Sequence, residues 1–192
     1  MKNLLILRAS RDICDIEINQ IQAIAAMHNM SVDVHPITES RSLNQLADYH
    51  KLWDYIYLAT HANPDGFGDP EGYFVSWKKF SEIICPMNIL NNNCVFLLSC
   101  CRGGIKHVCY DIFASCNKTE YVCGPRWTLT AEDLTAGFHA FIYNMEKRKL
   151  QPDQAAQRAS AATGYDFLCY DRVEIERDPE YLRHGEWIWI GK

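Results

Sequence analysis

Short, unbroken apolar runs alternate along this chain with segments whose apolar residues fall at helical spacing. Nothing else in the sequence limits its fold as much. Residues 4–7, 55–59, 95–98 and 121–123 are apolar without polar alternation, the pattern of strands covered on both faces. Residues 31–37 alternate instead, with Val32 and Val34 against Ser31 and Asp33, and read as a further strand. Helices are predicted over residues 16–30, 43–52, 77–84, 105–114 and 130–145, with one more over 155–162. Thr130 is a good N-cap, and Asp133 follows it at capping-box spacing. Strands that alternate with helices make βαβ units, so the expected fold class is α/β, three layers around a mostly parallel sheet.

The 192 residues suit one domain, taken as residues 1–192, with 48% hydrophobic and 22% charged residues. A net charge of −5 offers no basic face, so no nucleic-acid partner is expected. The longest apolar run, near residues 94–101, falls far short of a membrane span, and no membrane association is expected. The apolar start is four residues long, Arg8 follows it, and no small-x-small cleavage site appears. That start reads as a first strand in a cytoplasmic protein.

The nine cysteines are odd in number, spread along the chain and free of any C-x-x-C pair. They predict neither a disulfide framework nor a zinc site, and no metal or organic cofactor is implied. Most are read as small buried hydrophobes in a reducing compartment. Residues 62–72 are crowded with turn dipeptides and read as a long loop, functional or mobile. The tail, residues 165–190, reads as a terminal hairpin carrying Val173, Ile175 and an aromatic Trp187–Ile190 segment.

In an open α/β sheet, ligands bind beyond the carboxyl ends of the strands. Three polar segments belong there: Thr60-His61, Ser99 through Gly104, and Gly124 through Trp127. A thiol becomes a useful nucleophile when it is partly exposed, its thiolate is favoured and a proton-transfer group is near. Cys101 meets these conditions at a strand end, with a helix start after Gly103-Gly104 and with His61 on the preceding strand end. The rival α/β reading, a nucleotide-binding or flavodoxin-like domain, lacks its phosphate loop, because residues 8–12 contain no glycine.

These segments carry a resemblance. Tyr57-Leu-Ala-Thr-His61 is similar to the histidine segment of caspase-like cysteine peptidases, particularly the CHAT branch. Phe96-Leu-Leu-Ser-Cys-Cys-Arg-Gly103 resembles their cysteine segment and matches Cys-Arg-Gly. The resemblance implies a caspase-like sandwich with a six-stranded core and a cysteine endopeptidase acting through a thioester acyl-enzyme. Cys101 would attack and His61 would protonate the leaving amine. The backbone N–H groups of Cys101 and Ala62 would hold the oxyanion. Arg8, Arg126 and Asp133 are the candidate substrate-pocket residues; Asp12 and Asp15 are further acidic candidates. The implied partners are a protein or peptide substrate and a regulating protein, activating or inhibitory, and bacterial relatives suggest a role in defence or cell death. The sequence departs from the family at Ala62, where glycine is usual after the histidine. A left-handed backbone there would cost alanine about 1 kcal/mol or more. Such a cost would favour an inert module that holds a peptide at the same rim.

Overall fold

The computed structural model describes residues 1–183. Its main sheet contains β1 (Asn3–Arg8), β2 (Ser31–Pro36), β3 (Trp53–Ala59), β7 (Leu90–Ser99), β8 (Thr119–Pro125) and β9 (Phe167–Asp171). The strand order is β2-β1-β3-β7-β8-β9; β9 alone runs antiparallel, against β8. A smaller antiparallel sheet is formed by β4 (His61–Asn63), β5 (Gly66–Gly68) and β6 (Phe74–Ser76).

The unbroken apolar runs are explained by two cores, one on each face. Leu5, Leu7, Ile56, Leu58, Phe96 and Leu98 point into one core, with Trp77 and Phe80 of α2 (Trp77–Ile84) and Val108 and Ile112 of α3 (Lys106–Ser115). Their neighbours Leu4, Ile6, Tyr55, Tyr57, Val95 and Leu97 point into the other. That face is covered by α1 (Asp15–Met27), α4 (Ala131–Glu146) and α5 (Pro152–Thr163). Successive side chains on a strand face opposite ways, so a strand between two helical layers needs apolar residues at every position.

Three expectations change. Residues 43–52 do not form an α-helix; a 3-10 helix, Ser40–Asp48, buries Leu43 and Leu46. The segment read as a long loop is the small sheet. Its turn dipeptides mark the hairpin turn, where Asn63 Oδ1 accepts from the Asp65 and Gly66 N–H groups at 2.9 and 3.0 Å. Phe67 anchors it in the core, 5.2 Å from the rings of both Trp77 and Phe80. The tail is no hairpin within the described residues. β9 leads into α6 (Arg172–Glu176), a short helix that carries Val173 and Ile175. The segment 187–190 lies outside the described residues.

The cysteines also depart from expectation. Cys123 and Cys169 are register partners on β8 and β9, joined by a disulfide 46 residues apart in sequence. The other seven are free, and Cys94, Cys100, Cys109 and Cys116 are buried. Sequence spacing conceals the pair because only the antiparallel return of β9 brings it together. Replacing Cys169 with serine is expected to lower stability by about 2–4 kcal/mol, the usual effect of opening a loop of this size. Denaturant midpoints with and without reductant check this. A midpoint indifferent to both reductant and substitution would contradict it.

Candidate active site

β3 and β7 are adjacent parallel strands with Ala59 opposite Ser99, and Thr60 N–H donates to Ser99 O at 3.3 Å. His61 and Cys101 each lie two residues beyond that rung. Parallel neighbours sit about 4.8 Å apart, so the two residues leave the sheet at the same rim.

Beyond the rung the two chains behave differently. At His61 the backbone turns into β4, and the imidazole is half exposed. Its Nε2 lies 2.8 Å from Asp12 Oδ2. The Asp12 carboxyl is held below its ordinary range, first by the Ser10 hydroxyl at 2.5 Å and then by His61, against a desolvation cost. An ionised carboxylate only accepts, so Nε2 carries the proton and donates it. In the neutral ring Nδ1 is then the acceptor. A cleft of about 380 Å³ opens beside the ring, lined by His61, Ala62, Phe67, Asp69, Tyr73 and Phe74 among others. Tyr73 Oη, on the cleft lining, shares its one O–H between the Ala9 and Ile37 carbonyls, 2.6 and 2.9 Å away.

After Ser99 the chain reverses tightly. Cys100 N–H donates to Leu98 O at 2.9 Å, and Gly103 N–H donates back to Cys100 O at 3.2 Å. Cys100 is fully buried, and burial pushes its thiol well above the ordinary range. Cys101 is partly exposed. Of the adjacent pair, only Cys101 is available as a nucleophile. Its backbone N–H has no hydrogen-bond partner among the described residues. The next residue, Arg102, is left-handed at φ 59°, held by its N–H donating to Trp127 O at 3.2 Å. A non-glycine residue in that region costs about 1–2 kcal/mol, and such strain concentrates at functional turns. The strain expected at Ala62 is absent: Ala62 runs in β4 opposite Phe67 and is not among the described residues with positive φ.

The candidate pocket residues each have local partners. Arg8 pairs with Asp15 at 2.5 Å and donates to Ile13 O at the same distance, tying down the loop before α1. Asp133 accepts from the Thr130 hydroxyl at 3.0 Å in the N-cap of α4. Arg126 lies over the Trp127 ring and 3.9 Å from Asp166, half exposed at the rim. Of the acidic candidates, Asp12 is the one the structure brings onto His61. The sequence signal for Asp12 was its position: residues 10–12 leave the carboxyl end of β1, the strand beside β3. Among the described residues no cluster of His, Cys, Asp and Glu could hold a metal ion. No helix among them is long and apolar enough to cross a membrane.

No protein-family model matches the chain, and no curated protein matches it. Solved structures do. A secreted C11 cysteine protease from Bacteroides thetaiotaomicron, in complex with an irreversible peptide inhibitor, superposes with a TM-score of 0.58 at 9% identity. The match covers 84% of this chain and 57% of that one. An inactive zymogen C11 protease from Parabacteroides distasonis gives a TM-score of 0.53 at 12% identity, covering 83% of this chain and 57% of that one. The chain thus spans little more than half the length of these proteases. It shares their α/β fold of a mostly parallel sheet between helical layers, the caspase-like architecture.

Proposed function

We propose that this chain is a cysteine endopeptidase that cleaves protein or peptide substrates through a Cys101–His61 dyad. The observation that carries the reading is the shared rung: His61 and Cys101 leave adjacent strands two residues past Ala59–Ser99, with Cys100 buried and Cys101 open. The fold shared with cysteine proteases supports it.

In this reading Nδ1 of His61 takes the Cys101 proton, and the thiolate attacks the scissile carbonyl. The tetrahedral oxyanion meets the unpartnered Cys101 N–H, with the Ala62 N–H as the second candidate donor. His61 returns the proton to the leaving amine. Water then hydrolyses the thioester, with His61 as base. Asp12 keeps the ring in the tautomer this sequence needs. The inert-module alternative would gain from a strained Ala62, and Ala62 runs in β4 without a positive φ. Control by a regulating protein, a defence role and kinship with the CHAT branch belong to the same proposal. The exposed Pro70–Gly72 turn beside the cleft is where a regulator would reach His61. The seven free thiols favour the cytoplasm; the Cys123–Cys169 bridge is the feature that argues for an oxidising compartment.

A peptide electrophile tests the reading directly. Covalent labelling is expected at Cys101 and is expected to fall sharply in His61→Ala. Labelling that favours Cys14 or Cys85, or ignores His61, would sink it. Asp12→Asn is expected to lower turnover about tenfold, a modest effect because the pair is solvated. Asp12's depressed carboxyl sets the direction with pH. Its hold on His61 is complete above the ordinary carboxylate range and is lost as pH falls through the depressed value. The acid limb of the parent's rate profile should therefore change in Asp12→Asn.

A further inference from the structure

Glu17 lies on α1, is 3% exposed, and takes no part in the proposed chemistry. Its Oε1 accepts two hydrogen bonds, from Tyr57 Oη at 2.8 Å and from Ser99 Oγ at 2.7 Å. Tyr57 is on β3, four residues before His61. Ser99 ends β7, two residues before Cys101. Both donors are themselves buried. Tyr57 is wedged edge-on against Phe138 of α4, with ring centroids 5.3 Å apart.

No cation faces this carboxylate among the described residues, and burial raises its carboxyl despite the two donors. Burying a carboxylate without a counter-charge costs folding free energy, and apolar groups of similar volume often serve stability better. Proteins keep such costs where function needs a fixed arrangement. The arrangement fixed here is the end of β7. Cys100 plugs into the core on the α2–α3 side, while Ser99 is held on the α1 side. The reversal that presents Cys101 is thus pinned from both faces.

We propose that Glu17 is the positioning residue of the nucleophile turn, clamping Ser99 and Tyr57 so that Cys101 and His61 leave the sheet in register. It acts through those two hydroxyls and touches neither substrate nor reacting atoms. The proposal rests on the Cys101–His61 reading, and the experiment separates the two.

The probe is iodoacetamide on the full chain at neutral pH, with the alkylated peptide carrying Cys101 quantified by mass so that Cys14 and Cys85 do not interfere. The parent and His61→Ala are compared first. A rate indifferent to His61 removes the peptidase reading and the positioning role with it. Given a His61-dependent rate, the triple variant Glu17→Leu/Tyr57→Phe/Ser99→Ala deletes the clamp without stranding a buried hydroxyl. It is expected to fold with a denaturant midpoint at or above the parent's. Its Cys101 alkylation, and kcat at unchanged KM, should fall about tenfold or more, since a misplacement on the order of 1 Å is that costly. Glu17→Gln keeps an acceptor for both hydroxyls and should recover to within about threefold of the parent. A triple variant that alkylates at the parent's rate overturns the proposal, as does a Glu17→Gln no better than the triple.

Discussion

Cys101→Ala is expected to abolish cleavage, lowering turnover by about 10⁴-fold or more, while the folded state is left almost unchanged. Removing a catalytic nucleophile costs that much because the remaining groups supply only binding and oxyanion stabilisation. Stability should hold because Cys101 is partly exposed and its side chain is small, so the change falls within about 0.5 kcal/mol. The neighbouring substitution makes the result diagnostic. Cys100 is fully buried in the core shared by Leu98, Val108 and Phe96. Cys100→Ala should cost about 1–2 kcal/mol through a small cavity and leave turnover within a few-fold of the parent. The two adjacent thiols therefore predict opposite pairs of effects: activity without stability at Cys101, stability without activity at Cys100. Turnover of an unfolded protein substrate and a denaturant melt on each variant decide it. Loss of activity at Cys100 with retention at Cys101 would reverse the assignment of the nucleophile.

What could be read from the amino acids, and what could not, follows the range of the interactions. Residues 4–7, 55–59 and 95–98 announce a two-faced sheet because burial on both sides demands apolar residues at every position, a local signal. The strand ends at His61 and Cys101 follow from those strands. The small sheet was hidden because its two glycines, Gly66 and Gly68, look like turn residues. They are in fact demanded by close approach: a Cβ on Gly66 would lie 2.3 Å from Val75 O, and one on Gly68 2.0 Å from Tyr73 O. The 3-10 helix buries only Leu43 and Leu46 on its apolar side, too thin a stripe to separate it from an α-helix by periodicity. The partners Asp12–His61, Glu17–Ser99 and Cys123–Cys169 are 49, 82 and 46 residues apart. No spacing rule connects residues that meet only after β1, β3, β7 and β9 have found their order. Among the pocket candidates, the partner of Arg126 is hidden from spacing rules for the same reason. Arg8, Arg126 and Asp133 carry the right charges near the right rim, yet local partners occupy Arg8 and Asp133 and hold Arg126 at the rim's edge.

Gly104→Ala should be the most destabilising single substitution in the nucleophile turn, and its cause is contact rather than conformation. A Cβ at Gly104 would stand 2.0 Å from Gly124 O and 2.5 Å from Gly124 C. Those atoms are backbone at the end of β8, and Gly104 N–H is already bonded to Pro125 O at 2.9 Å, so neither partner can swing aside as a side chain would. Gly124 is constrained reciprocally, since its own Cβ would meet Gly104 N at 2.7 Å. Relieving the overlap means prising the turn away from β8, which breaks that hydrogen bond and disturbs the Arg102–Trp127 bond beside Cys101. Overpacking of a close-packed site costs about 1–3 kcal/mol, and an obstacle made wholly of backbone belongs at or beyond the upper end. Gly164→Ala is the control. Gly164 caps α5 at φ 78° with nothing within 4 Å, so its replacement costs only the left-handed penalty, about 1 kcal/mol. Denaturant unfolding should rank the loss at Gly104 about threefold above that at Gly164. The Gly104 variant should also lose Cys101 reactivity under conditions where it remains folded, while the Gly164 variant keeps it. Equal losses at the two glycines would mean that the turn and β8 are not packed backbone to backbone, and the rim that holds Cys101 would have to be redrawn.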